Sequence, residues 1–125
     1  MDTVGKIFLT NAILCLKKGG LAAPVRSEWF GNCGRRCLQP LIDLIGPQIV
    51  ITLGLRALNS VLYLYGMPKP KRLRDVVENG DSIRPPGGIL LFPMYHCGQR
   101  VWITHRPRDQ QLQDWARVKR VLGSA

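Results

Sequence analysis

Apolar runs broken by glycine, proline and basic residues organise this chain. Residues 6–14 (KIFLTNAIL) read as a buried strand, nearly continuous in apolar residues except for one amide, Asn11. Residues 15–25 form a loop punctuated by Gly19, Gly20 and Pro24. Ser27 and Glu28 open a helical pattern through Trp29, Phe30, Cys33, Cys37, Leu38, Leu41, Ile42 and Ile45. Gly31, Gly34 and Pro40 interrupt it, so two short helices are an alternative, and Gly46-Pro47 stops it. Gln48 to Gly54 (QIVITLG) predicts a second buried strand. Leu55, Leu58, Leu62 and Tyr65 predict the apolar stripe of a following helix, with Gly66 beyond its end. After a basic proline linker, Met67 to Arg72, comes a further turn of helix between Leu73 and Asn79. Ser82–Arg84 and Ile89–Phe92 flank Pro85-Pro86-Gly87-Gly88 and predict a hairpin whose second arm runs into PMYHCG. The final segment, Asp109 to Leu122, places Leu112, Trp115, Val118 and Leu122 at helical spacing.

Strands alternating with helices predict an α/β fold with a mostly parallel sheet. In such sheets ligands bind at the carboxyl ends of the strands, and Asn11 with Cys15, Leu53-Gly54 and His96 all fall at such ends. The chain of 125 residues suits a single domain, 1–125. At 46% hydrophobic it has the material for a packed core. No apolar run is long enough to span a bilayer. The N-terminus carries Asp2 and lacks the basic stretch of a secretory leader, which makes the cytoplasm the expected location.

Charge changes the picture. Lysine and arginine total 18 against 8 acidic residues, a formal +10, and arginines outnumber lysines twelve to six. This balance favours polyanionic partners, with nucleic acid ahead of an anionic membrane, or else a generic basic surface. In the tail, Arg100, His105, Arg106 and Arg108 surround Trp102, a mixture suited to phosphates and a stacked base.

The cysteines Cys15, Cys33, Cys37 and Cys97 read as thiols or metal ligands rather than disulfides. A zinc site has little support, because His96 and Cys97 are adjacent and neighbours seldom share a tetrahedral metal. An amide such as Asn11 offers a donor beside an acceptor and so matches a pyrimidine edge, or it caps a local turn. His96 could transfer a proton or stabilise an anion, or be a surface histidine in a polar loop.

In their order along the chain, FLTNAILC (Phe8–Cys15), CLQPLIDLIGPQIVITLG (Cys37–Gly54), LFPMYHCG (Leu91–Gly98) and THRPRDQQLQDW (Thr104–Trp115) resemble the uracil-DNA glycosylase superfamily. The nearest branch is the bacterial and archaeal one that often holds an iron–sulfur cluster, or a cluster-less sister group. The resemblance implies a three-layer αβα sandwich with about four strands. It also implies an enzyme that flips a base out of DNA and hydrolyses its glycosidic bond. Asn11 matches the residue that reads the uracil edge, and His96 the histidine that stabilises the departing anion. Gly98–Arg108, with Arg100, His105, Arg106 and Arg108, matches the region that enters the DNA. Lys17 and Lys18 would lie near phosphates.

The chain departs from the family pattern in three ways. His96 is followed by Cys97-Gly98 where the family has proline and a small residue. Cys15 and Cys33 resemble only half of a cluster's ligand set, so the expectation is no cofactor unless a longer chain supplies further cysteines. The glycine-rich, water-activating motif that precedes the first strand has no counterpart, since only Met1–Gly5 come before Lys6. The strand carrying that motif would sit between residues 6–14 and Gln48–Leu53, so a C-terminal part of a glycosylase-like protein is expected. Alternatively, Lys6–Leu14 pairs directly with Gln48–Leu53.

Three readings stay open. The first is a monofunctional glycosylase of base-excision repair, using water because no lysine is placed to form a Schiff base. The second is a non-catalytic DNA-binding module of the same fold. The third is an unrelated α/β domain, although no P-loop or GxGxxG is present. The expected partner is DNA and not a membrane, and the expected state is a monomer.

Overall fold

The computed structural model describes residues 7–10, 34–80 and 82–124. Two strands, β1 (Ile49–Leu53) and β2 (Leu90–Met94), pair in parallel, with Ile49 opposite Leu90 and Leu53 opposite Met94. Among the described residues five α-helices accompany them: α1 (Gln39–Ile45), α2 (Leu55–Leu64), α3 (Leu73–Val77), α4 (Gln99–Thr104) and α5 (Arg108–Ser124). Among the described residues the sheet has these two strands, fewer than the four expected, and the class is α/β as expected.

Strand alternation sorts the core into two faces. Val50 and Leu91 face α2, where they pack with Leu38, Leu58, Val61 and Leu62. Ile49, Ile51, Leu53, Leu90, Phe92 and Met94 form the opposite cluster with Val118 and Val121 of α5. Helices therefore cover both faces, which is the layered arrangement a parallel pair needs to hide its apolar surfaces.

The strand expected over residues 6–14 is corrected where it is described. Residues 7–10 are outside any strand, and Ile7, Phe8 and Leu9 are 71%, 59% and 88% exposed. Apolar residues alone do not make a strand; a ladder partner must bury them and satisfy the backbone. Among the described residues β1 pairs with β2 and not with residues 7–10, so the direct pairing does not occur there. Residues 11–14 lie outside the described residues.

Chain punctuation behaves as expected. A wide π-helical turn, Gly34–Leu38, leads into α1, where Pro40 has no N–H to close an ordinary turn. Gly46 ends α1 in the left-handed conformation. Beyond α2, Met67 N–H bonds Leu62 O at 2.9 Å and Gly66 N–H bonds Tyr63 O at 3.2 Å, a paired closure that needs the positive φ of Gly66. The hairpin shrinks to one antiparallel bridge, Ile83 with Leu91; β2 takes its ladder from β1 instead.

The face of α5 is corrected as well. Its inward residues are Gln111, Asp114, Val118 and Val121, while Leu112 and Leu122 are 59% and 54% exposed and Trp115 is at the surface. The inward set keeps the helical period but is polar in its first half. That half packs on the loop after β2, whose backbone and arginine demand partners. Asp114, buried, takes a two-pronged bond from Arg106: Nε to Oδ2 at 3.1 Å and a terminal nitrogen to Oδ1 at 2.9 Å. Arg117 reaches the same carboxylate at 3.5 Å.

This register predicts that Val118→Ala costs about 1–3 kcal/mol in urea unfolding, whereas Leu112→Ala stays within about 0.5 kcal/mol. Asp114→Ala should cost about 3–5 kcal/mol, because it strands the Arg106 charge. Burial raises the phenol pKa of Tyr65, with Asp43 adding to the rise, and also that of Tyr95, where Arg106 partly opposes it. The folded chain therefore holds these protons more tightly than the unfolded chain. Their stabilisation is complete below the ordinary phenol value of 10.0 and is lost as pH climbs through the folded values. An alkaline unfolding series should show this loss, and a Tyr65→Phe, Tyr95→Phe double variant should flatten it.

Candidate functional site

The carboxyl ends of β1 and β2 meet at Gly54 and His96. Gly54 N–H continues the ladder by bonding Met94 O at 2.8 Å, and Gly54 O accepts from Leu58 N–H at 3.2 Å to start α2. One residue thus ends a strand and opens a helix. Its φ of 88° lies in the region that favours glycine. Glycine is needed for a second reason: a Cβ here would overlap Nε2 of the His96 ring and lie 2.8 Å from its Cδ2. The imidazole rests on the bare backbone of Gly54, and His96 itself is exposed. The first N–H groups of α2 open at the same end, so its dipole favours negative charge beside His96.

The segment after His96 is pinned from below by α5. Gln111, 5% exposed, donates from Nε2 to His96 O at 3.2 Å and accepts from the Trp102 indole at 3.3 Å. Arg108 lies 5.6 Å from the Trp102 ring centre. His105 closes α4, its N–H bonding Val101 O at 2.9 Å. Arg100, His105 and Arg108 are exposed on this segment.

Arg106 departs from the expectation of a phosphate contact. Its side chain is 12% exposed and its fork is engaged by Asp114. That bond holds its pKa above the ordinary guanidinium value, so the pair persists through the working pH range. The sequence offered Arg106 as one more cation in a basic tail, and only its distance to Asp114 distinguishes it from Arg100 and Arg108.

Asn11, Lys17, Lys18, Cys15 and Cys33 lie outside the described residues. Cys37 is half-buried and Cys97 exposed, both free thiols. Among the described residues no three histidine, cysteine or acidic side chains converge as metal ligands. An open cleft of about 520 Å³ lies between Asn79, Gly80 and Ser82 on one side and Arg117, Arg120 and Val121 of α5 on the other, and neither His96 nor Gly54 lines it.

Gln111 and Asp114 are not among the residues that the hydrophobic pattern singles out. Positions 111, 114, 118 and 121 do repeat at helical spacing, but the larger apolar residues at 112, 115 and 122 carry more hydrophobicity.

No helix among the described residues is long and apolar enough to cross a membrane. A comparison with curated proteins finds no match. The family model described as the uracil DNA glycosylase superfamily matches residues 3–119, nearly the whole chain. On that match the chain belongs to the uracil DNA glycosylase superfamily.

Proposed function

We propose that this chain is a monofunctional DNA glycosylase that hydrolyses the N-glycosidic bond of uracil, or another deaminated base, flipped out of DNA. The observation that carries the reading is the His96 ring held over Gly54 at the carboxyl ends of the paired strands, in a chain of this family. As the glycosidic bond breaks, negative charge develops on the departing base. An imidazole N–H from His96, helped by the dipole of α2, stabilises that anion. Asn11 pairs with the base edge, donating and accepting as its amide allows. Lys17, Lys18, Arg100, His105 and Arg108 meet the phosphates. Arg106 does its work inside the protein, on Asp114. The reading places the chain in base-excision repair, in the cytoplasm, acting as a monomer and without a cofactor.

One observation favours a second reading, a DNA-binding module that does not hydrolyse. Water must be activated for attack, and Asp114, the buried carboxylate behind this loop, is already taken by Arg106 and Arg117.

Uracil release from a labelled oligonucleotide separates the two readings. The hydrolase reading expects release by the wild type and a single-turnover rate lowered about 10²–10³-fold by His96→Ala, with DNA affinity kept. Gly54→Ala should also lose activity, since its Cβ displaces the ring. No release from a folded wild type that still binds DNA would overturn hydrolysis in favour of the binding module.

A further inference from the structure

The buried amide of Gln111 sits between two groups that permit only one orientation. The Trp102 indole Nε1 is a donor and the His96 carbonyl is an acceptor. Oε1 must therefore face the indole, at 3.3 Å, and Nε2 must face the carbonyl, at 3.2 Å. The amide is also anchored: Gln111 is 5% exposed, and its backbone N–H bonds Pro107 O at 3.0 Å. His96 is itself exposed, two residues past the end of β2. Its ring is limited on one side by the bare backbone of Gly54, and its main chain on the other by Gln111.

From this arrangement we infer that Gln111 is a positioning residue for His96: it fixes the His96 peptide against α5, and so fixes where the imidazole stands over Gly54. The inference rests on the reading of His96 as the group that meets the departing base. Through Trp102, the same amide ties the His96 peptide to α4 and to the ring against which Arg108 lies.

Donor–acceptor chemistry makes the claim specific. In Gln111→Met the shape is kept and both bonds are lost. In Gln111→Glu, an ionised carboxylate still accepts from Trp102 but turns an acceptor on the His96 carbonyl. Protonated, the same side chain donates from its O–H and accepts at its C=O, as glutamine does. Acid should therefore rescue Gln111→Glu and leave Gln111→Met unrescued.

The test combines base release with NMR of the imidazole rings in wild type and both variants, from about pH 8 down to about pH 5, spanning the range in which a buried glutamate regains its proton. The chain has two histidines, so the His96 ring signals can be assigned against a His105→Gln variant. In Gln111→Met the His96 ring signals should shift while those of His105 stay. The single-turnover rate should fall by about 10- to 10²-fold, the scale of a misplaced catalytic group, with affinity for DNA kept. In Gln111→Glu, rate and ring signals relative to wild type should both return towards parity as pH falls. If Gln111→Met does not fold, Gln111→Glu carries the test alone. Unmoved His96 signals, or a rate equal to wild type, would overturn the inference. A wild type that releases no base defeats the hydrolase reading instead, and the ring signals still decide whether Gln111 positions His96.

Discussion

The parallel ladder between Ile49–Leu53 and Leu90–Met94 is the interaction on which the rest depends. It aligns the two strand ends in register and continues by one bond, from Gly54 N–H to Met94 O, past the last paired residues. That last bond brings Gly54 beneath the ring of His96, two residues beyond Met94. A slip of one residue would turn every side chain of one strand to the wrong face. It would also carry His96 away from the only kind of residue that leaves it room. The ladder holds its register because each face is buried by a different helix, α2 on one side and α5 on the other.

The second constraint is polar. The loop after β2 needs hydrogen-bond partners, and the first half of α5 supplies them by turning Gln111 and Asp114 inward. A buried ion pair is a weak source of net stability, because desolvating both charges offsets much of their attraction. What Asp114 gives is definition: with both carboxylate oxygens bound, Arg106 has one place to be, and the chain between His96 and Pro107 is tied at both ends. The helix divides its inner face accordingly, polar where it meets this loop and apolar at Val118 and Val121, where it meets the sheet.

Element types and punctuation were largely legible in the sequence. Gly46 stops its helix, Gly66 closes the next, and Leu58 and Leu62 are buried as their spacing predicts. These features follow from local rules of period and backbone freedom. His96 and Gly54 were both recognisable as strand-end residues, and their place in an ordered set of motifs pointed to the family that the match over residues 3–119 supports.

What the sequence by itself determined was the alternation of helix and strand, the excess of positive charge and the order of the family's motifs. The tertiary structure decided the partners. It left Ile7–Leu9 exposed, made Arg106 an internal anchor, turned Leu112 outward in favour of Gln111, and set the His96 ring on Gly54. The physical reason is common to all four. Whether a residue is buried or bonded depends on groups distant in sequence that supply a ladder, a counter-charge or a matching donor, and local hydrophobic period carries no information about those groups.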